Sequence, residues 1–190
     1  MAVVALVGTA GSGKSYLMAR MLKEDPNLPQ VLVGLAADKS LRKFLKRPEW
    51  KWQTITSPLS KVWLDPAERV AVDLTPLTPV EAQISLQALM KGVVDQGGGV
   101  VAIDEAHLFL TRPTAQIVRY IRGSRHFRLK VYIATQRWVD IHPHIRAVVK
   151  HLFIFRTTSW RDINALQSEP GVYNVALDRL NTGEYIYVRR

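Results

Sequence analysis

Gly8-Thr9-Ala10-Gly11-Ser12-Gly13-Lys14-Ser15 decides how this chain is to be read. Every fixed position of the pattern G-x-x-x-x-G-K-[ST] is filled, and the surroundings match what the pattern requires. Residues 2–7 are continuously apolar, the mark of a strand buried on both faces, and a helix-like pattern follows to about Glu24. Glycines in such a turn let backbone amides point inward around an anion. The helix N-terminus that follows adds partial positive charge. The spacing therefore predicts a cradle for the β-phosphate of a nucleoside triphosphate, formed by Gly8, Thr9, Ala10, Gly11, Ser12, Gly13, Lys14, Ser15 and the adjoining Tyr16. Lys14 is expected to reach the β- and γ-oxygens and the Ser15 hydroxyl to ligate Mg²⁺, so that the ligand is ATP with Mg²⁺.

Outward from the loop, short apolar runs alternate with helix-like segments. Strands are expected at residues 31–36, 69–74, 100–103, 130–134, 152–155 and 184–188. Helices are expected at 80–94 (with Pro79 at the start and Gly97-Gly98-Gly99 as the stop), 114–121 and 160–167. This alternation predicts an α/β chain: a mostly parallel sheet with helices on both faces, and a terminal β-hairpin or edge strand. Residues 1–190 read as a single domain, with an irregular elaboration at about 37–68.

Two further polar features sit at strand ends. Val100-Val101-Ala102-Ile103 runs into Asp104-Glu105. A triphosphate-cleaving site of this kind needs a strand-end carboxylate in the shell of its metal, the role that Asp104 fits, and Glu105 is then placed to polarise the attacking water. His107 follows; a lone histidine reads as a packing or hydrogen-bonding residue. Tyr132-Ile133-Ala134-Thr135-Gln136 puts Gln136 just past another strand. If that strand neighbours the first one, Gln136 faces the γ-phosphate. The Asp-Glu pair favours hydrolysis over phosphoryl transfer to a small acceptor.

The chain has 26 basic and 16 acidic residues, a formal charge of +10, which favours a polyanionic partner. One cluster holds Lys39, Arg42, Lys43, Lys46, Arg47 and Lys51, interleaved with Phe44, Trp50 and Trp52; another holds Arg119, Arg122, Arg125, His126, Arg128 and Lys130. The absence of cysteine excludes disulfides and thiolate metal sites and makes an intracellular setting the default expectation. No apolar run approaches the ~20 residues of a membrane span, and no signal peptide is evident, so no stable membrane insertion is expected.

Taken together, the phosphate loop, the strand ending Asp104-Glu105 and the strand ending Gln136 resemble the FtsK/HerA branch of P-loop ATPases. The stretch Arg125-His126-Phe127-Arg128-Leu129-Lys130-Val131-Tyr132-Ile133-Ala134-Thr135-Gln136-Arg137 resembles that branch's Arg-His-x-x-Leu … Thr-Gln-Arg signature. Where relatives often carry small residues or glycine, this chain has Phe127-Arg128. Within the branch, the chain is most similar to the genome-packaging ATPases of membrane-containing icosahedral viruses. That resemblance implies a homo-oligomeric ring, pentamer or hexamer, that pumps double-stranded DNA into a preformed capsid at a capsid or portal vertex. It implies work in the host cytoplasm and at the packaging vertex of the virion. It also implies ATP bound between subunits, with an arginine supplied by the neighbour, for which Arg125 and Arg122 are the candidates. Two other readings stay open. One is a small P-loop kinase with Arg119, Arg122 and Arg125 as its lid. The other is a phage morphogenesis ATPase resembling the zonula occludens toxin family, whose members usually carry a transmembrane segment that this chain, ending at Arg190, is not expected to have.

Overall fold

A computed structural model of the chain describes residues 2–34, Leu41, Leu45 and 49–190. Its framework is an eight-stranded sheet formed by β1 (Val3–Val7), β2 (Gln30–Val33), β3 (Lys51–Thr54), β4 (Arg69–Asp73), β5 (Gly99–Ile103), β6 (Leu129–Thr135), β7 (Val149–Phe155) and β8 (Tyr185–Arg189). The order across the sheet is β3-β4-β2-β5-β6-β1-β7-β8. All neighbours pair in parallel except β7 and β8.

The helices are α1 (Lys14–Glu24), α2 (Pro79–Asp95), α3 (His107–Leu110), α4 (Ala115–Arg122), α5 (Pro143–Arg146) and α6 (Trp160–Gln167). They divide between the two faces as strand periodicity dictates. Val3, Ala5 and Val7 look into a core shared with Leu86 and Met90 of α2, Phe109 of α3, Ile117 and Ile121 of α4, Ile145 of α5 and Leu166 of α6. Val4 and Leu6 look the other way, onto Met18, Ala19 and Leu22 of α1 together with Leu41, Leu45 and Trp50. Burial on both faces is why β1, β2 and β5 are apolar at nearly every position.

Most expected elements form within a residue or two of their expected bounds. α2 starts with a capping box: the Thr78 hydroxyl accepts from the Glu81 amide, and the Glu81 carboxylate accepts from the Thr78 amide at 2.9 Å, with Pro79 at the first helical position. β8 is the edge strand at the end of the chain, joined to β7 through α6.

One stretch differs. The segment read as irregular at 37–68 contributes β3, which pairs in parallel with β4 and forms the far edge of the sheet. Its side chains are largely exposed, so no buried run announces it. Trp50, grouped with the basic cluster, is only 1% exposed and packs under the sheet, while the Trp52 indole donates to the Leu45 carbonyl at 3.3 Å. Lys39, Arg42, Lys43, Phe44, Lys46 and Arg47 lie outside the described residues, as do the last two residues of the strand expected at 31–36. Among the described residues, no helix is long and apolar enough to cross a membrane.

Candidate active site

Strand order decides what meets the phosphate loop. β6 lies between β5 and β1, with Val7 opposite Thr135 and Ile103 opposite Ile133. Because the three strands are parallel, their C-terminal ends place Asp104-Glu105, Gln136 and Gly8 along one edge. This is where α/β sheets bind ligands.

The loop is held on three sides. The Gly8 amide donates to the Thr135 carbonyl at 3.1 Å. The Thr9 amide and hydroxyl both donate to the Arg156 carbonyl just past β7, at 2.8 and 3.1 Å. The Gly183 amide donates to the Ser12 carbonyl at 2.9 Å, so the turn before β8 packs on the loop. Gly8 is required by close approach: a Cβ there would lie 2.7 Å from the Phe155 Cβ and 2.9 Å from the Arg156 carbonyl oxygen. Gly13 is required by conformation, with φ of 108° as the N-cap of α1.

These features fit a phosphate group. Gly13 has no side chain to cap the helix, and the first turn of α1 has no acidic residue, so the leading amides of α1 are left for an anion. The Ser12 hydroxyl is buried and has no hydrogen-bond partner among the described residues. Lys14 is 4% exposed, and its Nζ donates to the Thr9 carbonyl at 2.8 Å, folded back over the loop it would share with a phosphate. Ala10 and Gly11 sit exposed at the tip, and the Tyr16 ring is half-exposed at the start of α1.

The Ser15 hydroxyl donates to Asp104 Oδ2 at 3.3 Å, spanning β6 to join the helix and the strand end. Asp104 is buried, and its Oδ1 accepts from the Glu105 amide at 3.0 Å. A hydroxyl and a carboxylate at this separation form the half-site that Mg²⁺ uses when phosphate oxygens and water complete its octahedron. Glu105 has φ of 47°, a conformation uncommon for a residue with a side chain. Its Oε1 accepts from Gln136 Nε2 at 2.6 Å. Its Oε2 is buried, lacks a hydrogen bond among the described residues, and lies 3.5 Å from His107 Nδ1.

Arg122 and Arg125 stand elsewhere. They belong to α4 and to the turn that enters β6, at the N-terminal edge of the sheet, where Leu129 pairs with Gly99. The seven residues of β6 separate that edge from Gln136, roughly 20 Å at about 3.3 Å per residue. Neither arginine can serve the phosphate loop of its own chain, so the lid that the kinase reading requires is not assembled. Both are exposed, and Arg122 lines an open groove of about 530 Å³ with Arg119, His126 and Phe127. Lys130, counted with this basic cluster, turns away from it to pair with Asp25 at 2.7 Å. Arg128, at the position where relatives carry small residues or glycine, has φ of 52°, which is what glycine there would accommodate.

Sequence reasoning did not read the contacts that His107, Thr135 and the turn at Gly183 make in the site. Their partners lie far along the chain, and no local spacing marks them.

A phosphate loop on a central parallel strand, with a serine–carboxylate pair and a second carboxylate beside it, defines a P-loop ATPase. The family model of the AAA domain matches residues 2–140, and the chain belongs to that family. No curated protein matches it. Among solved structures, it is similar to the genome packaging NTPase B204 from Sulfolobus turreted icosahedral virus 2 in complex with sulfate, with a TM-score of 0.72 and 21% identity over 99% of this chain and 90% of that one. The same NTPase in complex with ATP-gammaS gives a TM-score of 0.70 and 18% identity over 99% and 91%. VirB4 of Thermoanaerobacter pseudethanolicus gives 0.69 and 9% over 99% and 86%. At these identities the likeness is one of fold, and at that level it agrees with the resemblance to viral genome-packaging ATPases.

Proposed function

We propose that the chain is an ATP-hydrolysing motor that moves double-stranded DNA, and that its task is packaging a viral genome. The observation that carries hydrolysis is the pairing of Glu105 with Gln136 at 2.6 Å, directly beside the Ser15–Asp104 pair. A carboxylate base, a carboxamide that can turn to a γ-phosphate, and a metal half-site converge at one sheet edge.

In the proposed reaction the triphosphate lies along the amides of residues 8–16, with Lys14 on its β- and γ-oxygens. Ser15 and Asp104 would hold Mg²⁺, which neutralises charge on the phosphate oxygens when bound. Water attacks the γ-phosphorus in line. The bond from phosphorus to the β–γ bridging oxygen breaks, and Glu105 takes the proton from the water. Gln136 leaves Glu105 for a γ-phosphate oxygen and so couples strand β6 to the state of the nucleotide.

The position of Arg122 and Arg125 supports assembly. They face away from their own loop, so a ring in which the N-terminal edge of one subunit meets the loop of the next would let either act on a neighbour's ATP. Arginines supplied in this way are worth roughly 10³–10⁵ in rate. The charge of +10 supports a polyanion as the load. The relation in fold to an NTPase named for genome packaging supports DNA as that polyanion, and the packaging vertex of a virion assembled in host cytoplasm as the place of work. Contacts would go to phosphates, because a packaging motor accepts every sequence.

The test is steady-state ATPase rate per subunit across protein concentration, with and without double-stranded DNA. A rate that rises with concentration and with DNA is expected. A rate per subunit that is independent of both would overturn the ring and the DNA load.

A further inference from the structure

We infer that His107 is a positioning residue for Glu105: its Nδ1–H holds the second carboxylate oxygen so that the base keeps its aim while Gln136 attends to the γ-phosphate. The inference rests on the reading of Glu105 as the base.

The need for such a group follows from the geometry of Glu105. Its Oε1 is occupied by Gln136 Nε2 at 2.6 Å. In the proposed cycle the Gln136 side chain swings from that oxygen to the γ-phosphate, and Glu105 then loses its short side-chain contact. A carboxylate with no remaining hold turns about its last bond and no longer presents a fixed lone pair to the water. The backbone at 105, with φ of 47°, aims the side chain but does not fix that final torsion.

His107 is the group that remains. Its Nδ1 lies 3.5 Å from Glu105 Oε2 and 3.5 Å from Thr135 Oγ1. The carboxylate only accepts. The Thr135 hydroxyl spends its hydrogen on the Arg137 carbonyl at 3.3 Å, so towards His107 it also presents a lone pair. Both neighbours of Nδ1 are therefore acceptors, and Nδ1 carries the hydrogen. The buried Oε2, otherwise without a hydrogen bond among the described residues, has that N–H as its donor once Gln136 departs and the carboxylate settles by a fraction of an ångström.

Thr135 makes the arrangement more than a local contact. It is the last residue of β6, its carbonyl accepts from the Gly8 amide at 3.1 Å, and Gln136 follows it directly. Through His107, the base is referenced to the same residue that fixes the start of the phosphate loop. The position of the carboxylate relative to the γ-phosphorus is then set from β6, whatever Gln136 does.

The experiment uses the full chain with Mg²⁺ and double-stranded DNA, and measures kcat, KM for ATP and thermal midpoint for H107A, H107N, H107Q and E105Q. H107A should lower kcat about 10- to 100-fold, the size of effect a misaimed reacting group produces, with KM within about twofold. H107N places its amide nitrogen where Nδ1 stands and should restore kcat to within a few fold of wild type. H107Q, whose amide reaches the Nε2 position instead, should not. E105Q should bind ATP and lose turnover. If H107A turns over at the wild-type rate while E105Q is inactive, His107 has no positioning role and the reading of Glu105 stands. If H107N is as slow as H107A although both melt like wild type, the Nδ1–H is not the operative group. Full activity in E105Q would remove the base itself, and this inference with it.

Discussion

Replacing Tyr132 with phenylalanine removes one hydroxyl from the interior and tests what holds the phosphate-loop helix to the sheet. Asp25 caps the C-terminal end of α1 and is 3% exposed. Its Oδ2 accepts from Lys130 Nζ at 2.7 Å and from the Tyr132 hydroxyl at 2.9 Å; its Oδ1 accepts from the Asn27 amide and side chain at 3.0 and 2.6 Å. Burial alone would push the Asp25 carboxyl up, but the bonds from Lys130, Asn27 and Tyr132 outweigh it and hold the group below its ordinary range. Burial, with Asp25 close by, pushes the Tyr132 hydroxyl up to about 12.

A hydrogen bond to a charged group is worth about 1.5–3 kcal/mol. Three donors remain in the phenylalanine variant, so the lower end applies, about 1.5 kcal/mol. For a chain of this length that is a fall in Tm of about 3–6 °C. The pH dependence has a definite sign. A carboxyl depressed in the folded state stabilises above its unfolded pKa, and that stabilisation is lost as pH falls through the folded value. The difference between wild type and variant should therefore be full at neutral pH and shrink only in acid, as pH falls through the depressed folded-state range of Asp25, below that of an ordinary carboxyl. Urea and thermal unfolding measure it, with the denaturant slope unchanged. A shift under about 1 °C at pH 7 would refute the account of Asp25 as an ionised acceptor.

Lys14→Ala removes a cation poised 2.8 Å from the loop carbonyl of Thr9. Losing one charge-assisted bond to the triphosphate should weaken ATP binding about 10- to 100-fold in a nucleotide titration, and an unchanged Kd would take Lys14 out of the site. Gly8→Ala puts a methyl 2.7 Å from the Phe155 Cβ and 2.9 Å from the Arg156 carbonyl oxygen. Neither neighbour is the free end of a flexible chain, so the variant should lose about 1–3 kcal/mol by overpacking. Gly11→Ala, with no atom within 4 Å, should lose less, only the cost of its left-handed φ of 71°. Equal thermal midpoints for the two alanine variants would contradict the close approach at Gly8.

The residues of the candidate site were legible because their signals are local. The phosphate loop is eight consecutive residues, and Asp104-Glu105 and Gln136 are marked by the apolar strands they end. What spacing does not contain is which strands are neighbours. Gln136 matters only because β6 lies between β5 and β1, and nothing in residues 129–136 states that. The same limit hid β3, an edge strand whose exposed side chains carry no buried alternation, and the four-residue helices α3 and α5. It also misassigned charges: Lys130 counts as basic surface in a tally, yet it neutralises Asp25, 105 positions earlier in the chain. Trp50, interleaved with lysines, is core. Long-range partnership is thus the part of the site that composition and spacing cannot reach, and Thr135 shows why it matters. Apolar neighbours make it read as the tail of a strand, but its carbonyl holds Gly8, its hydroxyl faces His107, and the next residue grips Glu105. In the proposed cycle, a Gln136 that turns to the γ-phosphate releases Glu105 Oε1 while the neighbouring Thr135 keeps its hold on the loop at Gly8. On the proposed reading, occupancy and chemistry are then coupled over a single strand end, which is the coupling a motor needs if hydrolysis is to move anything.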